Sequence, residues 1–214
     1  MNLEKNRKLV YKENIIDIPH PYVQYKKIIF EGTDGSQIEV DLAIPKSNIK
    51  GVIVDFPEFK MKNKDYLSLT KYSMLDYALA SLHIRGQAGN SENNTPCSHF
   101  PFLDSSSSTP YFNLVFQDAL DTISIIEKLF PNKEILVTGL GQGATISIIC
   151  ASYYDSIKEL FISDCSLCDI INTYNNNKKA PFFKNIYKFE SDFSDKLDYL
   201  YSTLNSIDVL NFSN

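Results

Sequence analysis

The sequence predicts an α/β fold in three layers, with a mostly parallel sheet of about six strands between helices. Short apolar, β-branched runs alternate with longer segments at helical spacing. Gly51 to Phe56 is an unbroken apolar run apart from Asp55, the mark of a strand buried on both faces. Ile135 to Val137 runs directly into glycines at 139, 141 and 143 and then into an apolar helix. A length of 214 residues suits one domain, residues 1–214, with a sizeable core and no internal repeat.

Residues 1–21 are polar, with prolines at 19 and 21, and read as an arm or a short helix. Tyr25 to Phe30 and Gln37 to Ile44 read as strands around the turn Gly32-Thr33-Asp34-Gly35, and Pro45 ends the second. After the strand at 51–56, residues 63–79 repeat apolar side chains at helical spacing, from Leu67 to Leu79. Leu82 to Ile84 is then a short strand, ending at Arg85-Gly86-Gln87. Residues 88–110, with four serines at 105–108 and prolines at 96, 101 and 110, read as a surface loop. Residues 111–130 carry one apolar stripe, Phe112, Val115, Phe116, Ala119, Leu120, Ile123 and Ile126, and Pro131 stops that helix. Another strand is expected at Glu159 to Ser163. Residues 168–205 are polar and aromatic and read as a helical or irregular insertion.

Composition excludes several classes of function. A hydrophobic fraction of 43% and a charged fraction of 22% are those of an ordinary globular chain. A net charge of −5 points away from nucleic acid and anionic membrane surfaces. No apolar run reaches the roughly 18 residues of a membrane span, and the charged N-terminus lacks the apolar centre of a signal peptide. A cytoplasmic location with reduced thiols at Cys97, Cys150, Cys165 and Cys168 is the expectation. Arg7 and Arg85 are the only arginines.

Gly139-Leu140-Gly141-Gln142-Gly143 has the frame of the G-x-S-x-G nucleophile elbow, in which a serine stands on a tight strand-to-helix turn. Gly141 occupies the serine position. Gly139 and Gly143 suit the close packing of the turn, and the Gln142 N–H lies where an oxyanion would be held. No G-x-x-x-x-G-K-[ST] is present, and the third glycine of a dinucleotide fingerprint is missing.

Arg85-Gly86-Gln87-Ala88-Gly89 resembles the R-G-Q-G-G stretch of the acetyl xylan esterase and cephalosporin C deacetylase family of α/β-hydrolases. That family pairs R-G-Q with G-G-S-Q-G-G about fifty residues later, the separation seen here. The segments Gly35 to Pro45, Gly51 to Phe59, Asp164 to Asp169 and Leu204 to Phe212 resemble further stretches of the same family. The resemblance implies a hydrolase-like sandwich and assigns the second oxyanion donor to the N–H of Phe59. It also implies a chain that stops short of the family's C-terminal strands, which carry the triad aspartate and histidine. Two departures are internal. The serine is Gly141, and the family's F-H-G-Y reads Phe56-Pro57-Glu58-Phe59. A carboxylate at Glu58 is expected to oppose negative charge in the oxyanion site.

No other residue set competes for the chemistry. His83 reads as a core or edge histidine within a strand, and His20 and His99 as loop residues. A pairing of any of them with Ser91 or the serine run has no spacing behind it. Cys165-x-x-Cys168 lacks the second ligand pair that zinc requires, and no cofactor or metal is expected. Arg85 is expected to be structural, tying loop carbonyls together. The resulting expectation is an acetyl xylan esterase-like homologue without esterase activity. Its catalytic set is empty at Gly141, an oxyanion remnant stands at Gln142 and Phe59, and Arg85, Gly86, Gln87, Gly139 and Gly143 form a structural motif. A small acetylated ligand is the candidate occupant. The strand at 159–163 is expected to be an edge that residues 168–212, a second copy or a partner chain covers. The alternatives are an interaction or regulatory protein, or one half of a split esterase.

Overall fold

Seven strands form one sheet in the computed structural model, which describes residues 3–95, 110–180 and 183–212. They are β1 (Tyr11–Ile16), β2 (Val23–Glu31), β3 (Gln37–Pro45), β4 (Gly51–Phe56), β5 (Tyr77–Leu82), β6 (Glu134–Leu140) and β7 (Ile157–Ser163), in the order β1-β2-β3-β5-β4-β6-β7. β4 to β7 are parallel, whereas β1, β2 and β3 pair antiparallel with one another, and β3 with β5. The connections explain the split. Parallel neighbours need a long crossover, and only short turns join the first three strands. The supposed arm at 1–21 therefore holds a strand. β1 places Lys12, Glu13 and Asn14 along an exposed edge, which disfavours further pairing.

The segment at 63–79 departs most from its periodicity. Its helical part is only α1 (Tyr66–Leu69) and a 3₁₀ turn over Thr70–Leu75, closed by Asp76 in the left-handed region at φ 66°. Tyr77 to Leu82 then forms β5 between β3 and β4. The apolar run Ala78, Leu79, Ala80 fits either period, and burial on both faces of the sheet decides for the strand.

α2 (Tyr111–Leu129) and α3 (Gln142–Tyr153) cover one face of the sheet. α4 (Ile170–Asn176), α5 (Lys184–Asp192) and α6 (Leu197–Ile207) pack Ile170, Tyr174, Ile186, Phe189, Leu200 and Leu204 into the same core. The segment after 168 thus packs with the α2 and α3 layer and leaves the edge strand open. Along β7, Leu160, Phe161 and Ile162 are exposed by 41%, 56% and 40%. The opposite face is thinly covered among the described residues. Leu69 of α1, with Tyr66 and Tyr72, packs there on Val23, Tyr25, Ala43, Ile53, Leu79 and Leu136. The Ser-rich stretch, Cys97 and His99 lie outside the described residues; residues 90–94 just before them bind back to β3 and its turn.

Candidate functional site

β6 ends in a turn so tight that side chains are excluded on both flanks. A Cβ on Gly139 would lie 2.2 Å from the Gly143 carbonyl, and one on Gly143 would lie 1.9 Å from the Phe56 carbonyl oxygen. Between them Gly141 is buried at φ 57° and ψ −112°, a strained conformation for any side chain. Its N–H donates to the Ser163 carbonyl at 3.0 Å, which pins the turn to β7.

The seat beside Gly141 is filled. A Cβ there would lie 1.4 Å from Oε2 of Glu58, so the carboxylate of the β4 loop stands in the space a nucleophile side chain would need. Its other oxygen, Oε1, accepts the Phe59 N–H at 2.5 Å and faces the Gln142 N–H at 3.4 Å. The two backbone donors singled out from the sequence therefore meet on one oxygen, and that oxygen belongs to the protein. Glu58, expected to oppose negative charge in the oxyanion site, stands within that site itself. With no side chain on Gly141, there is room for the carboxylate at the N-terminal end of α3.

Side-chain amides hold the two halves of the turn together. Gln142 and Gln87 exchange hydrogen bonds at 2.8 and 3.0 Å, and the Gln142 amide also donates to the Pro57 carbonyl at 3.3 Å. Gln87 accepts the Lys60 N–H at 2.9 Å. One glutamine after the elbow and one from Arg85-Gly86-Gln87 thus lock the β4 loop to α3, with Gly86 turning the chain at φ 61°.

Arg85 is fully buried behind this lock. Its partners are carboxylates where loop carbonyls were expected: Asp118 by two bonds of 2.7 and 2.9 Å, and Asp34 at 2.8 Å. Its own carbonyl accepts the Tyr111 hydroxyl at 2.7 Å. Two carboxylates share one guanidinium. Burial pushes the Asp118 carboxyl up to about 6 against the pull of Arg85. Asp34 is also partly desolvated, but bonds from Arg85 and Thr95 outweigh this and bring it down to about 2. Sequence reasoning missed both partners; the usable signal was an acidic residue, Asp118, at a position that the helix buries.

Among the described residues, the histidines His20 and His83 stay out of this site. His83 bonds Asp41 through Nε2 at 2.8 Å, and its Nδ1 accepts the Asn90 N–H at 3.2 Å, so both ring nitrogens are engaged. The Nδ1 of His20 accepts the Tyr22 N–H at 3.3 Å. Cys165 contacts the Thr145 hydroxyl at 3.3 Å, and burial together with Cys165 pushes the Cys168 thiol up, away from thiolate chemistry. Among the described residues no group of histidine, cysteine or acidic side chains is arranged to hold a metal, and no helix is long and apolar enough to cross a membrane. The elbow opens on a groove of about 480 Å³ whose lining includes Glu58, Met61, Lys64, Thr138 and Phe161.

A family model described as acetyl xylan esterase (AXE1) matches residues 2–214. No curated protein matches the chain. Among solved structures, acetyl xylan esterase 1 from Thermoanaerobacterium sp. is similar at 18% identity and a TM-score of 0.83, over 96% of this chain and 69% of that one. Acetyl xylan esterase from Paenibacillus sp. is similar at 17% identity and a TM-score of 0.78, over 96% and 70%. A hypothetical protein from Pseudomonas aeruginosa follows at 14% identity and a TM-score of 0.58, over 86% and 56%. At such identities the structural likeness is one of fold.

Proposed function

The chain belongs to the acetyl xylan esterase family, and from that premise we propose that it is a relative that keeps the α/β-hydrolase frame without ester-hydrolysing chemistry at its elbow. One observation carries the reading: Glu58 Oε2 lies 1.4 Å from where a Cβ on Gly141 would be. The position that needs an attacking oxygen has none, and the two N–H groups suited to a developing oxyanion already face a carboxylate. While Glu58 sits there, the carbonyl oxygen of an acetylated sugar has no donor to reach. The three cysteines among the described residues are free, which supports a reducing compartment such as the cytoplasm.

The test is hydrolysis of p-nitrophenyl acetate and of acetylated xylan. The expected rate is that of buffer with an inert protein. Turnover well above it, lost on Glu58→Ala or on substitution of Gln142, would sink the reading.

A second reading, favoured by the open β7 edge, is that the chain acts by pairing with another polypeptide, a second copy being the simplest. Leu160, Phe161 and Ile162 supply the apolar surface for it. A mass by light scattering that stays monomeric up to high concentration removes the second-copy form of this reading.

A further inference from the structure

We infer that the elbow of this chain is a carboxylate-binding site whose resident ligand is its own Glu58, and that a small free carboxylate of the acetate class takes the same seat once that side chain is shortened. Three features make the seat. Its donors come from different elements, the Phe59 N–H from the loop after β4 and the Gln142 N–H from the first residue of α3. Its space comes from Gly141, whose missing Cβ leaves room for Oε2. Its selectivity for an anion comes from the N-terminal end of a twelve-residue helix. A carboxylate is already bound there, so the site is a built one and does not rest on the helix end alone.

The rigidity of the surroundings matters. The Gln87–Gln142 amide pair and the Gln87 bond to the Lys60 N–H fix the backbone on both sides of the seat without using Glu58. Removing the Glu58 carboxylate therefore takes away the acceptor that these two donors share. Replacement by alanine deletes one methylene and one carboxylate, which is the heavy-atom framework of acetate. The groove lined by Glu58 gives a route in, and the Lys64 ammonium at its wall is paired with Asp55 of β4.

This inference rests on the reading of a closed elbow, but the two fail separately. Ester turnover by the wild-type protein overturns the inactive reading, whereas acetate binding is read without any turnover. Thermal unfolding of the full chain, Glu58→Ala and Glu58→Gln is compared in sodium acetate and sodium chloride at equal ionic strength and pH 7. Glu58→Ala is expected to melt about 3–8 °C below wild type in chloride, from the loss of the shared acceptor. About 100 mM acetate is expected to recover half of that loss or more. Wild type and Glu58→Gln, whose seats are filled, are expected to respond alike to both salts. If Glu58→Ala does not fold in chloride, refolding from urea in acetate alone is the same positive result. An acetate response no larger than that of wild type, or failure to refold in either salt, overturns the inference.

Discussion

A serine restored at position 141 would meet two obstacles at once. Its Cβ would collide with Glu58, and its backbone would keep the left-handed φ of 57° that glycine adopts without cost. We expect Gly141→Ser alone to lose about 2–4 kcal/mol in urea unfolding and to gain no measurable esterase activity. Arg85 sets the second residue-scale expectation. The folded Asp34 carboxyl is held at about 2, below the ordinary 3.8, so the stability it contributes is present above pH 4. That contribution is lost as pH falls through the range from 4 to 2. Asp34→Asn is therefore expected to cost about 1–2 kcal/mol at pH 7, after allowance for its partial exposure, and almost nothing at pH 2. Equal losses at both pH values would contradict the assignment. The glycines, the glutamines and Arg85 were all visible as letters in the chain. The Arg85 partners Asp34 and Asp118 were not, because each contact joins residues distant in sequence.

Among the elements, those with long, strongly patterned segments were legible. The expected helix at 111–130 is observed at Tyr111–Leu129, and the strand at 51–56 carries its expected bounds. The failures were short segments, where a helical and an extended reading share the same apolar letters. Ala78 to Leu82 became a strand because β3 and β4 offered partners on both sides. α4 shows the same dependence on tertiary contacts. Its N-cap residue, Asp169, makes no side-chain cap, and Asp208, beyond α6, accepts from the Asp169 and Ile170 N–H groups at 3.1 and 2.8 Å. Asp208→Ala is expected to cost about 1–3 kcal/mol and to raise amide exchange first in residues 168–176. Uniform exchange across the chain would show that Asp208 does not act as the cap of α4.

For the whole molecule, coverage is uneven. Among the described residues, one face of the sheet carries α2, α3 and the three helices after them, the other only α1 and its 3₁₀ turn, and β7 lies open. Phe161→Lys is expected to change stability by no more than about 0.5 kcal/mol, since the side chain is 56% exposed. If the chain pairs through this edge, the same substitution abolishes association in light scattering. What the sequence by itself determined was the frame: alternating strands and helices, a glycine-bordered turn, and a family resemblance carried by two motifs. Those are properties of local spacing, and local spacing is what a chain displays directly. Only the tertiary structure decided what the turn holds. It brings the β4 loop against the start of α3, where the absence of one Cβ leaves a space of carboxylate size between two N–H donors. Glu58, which the sequence set beside the site as a charge in the wrong place, is the group that fits it.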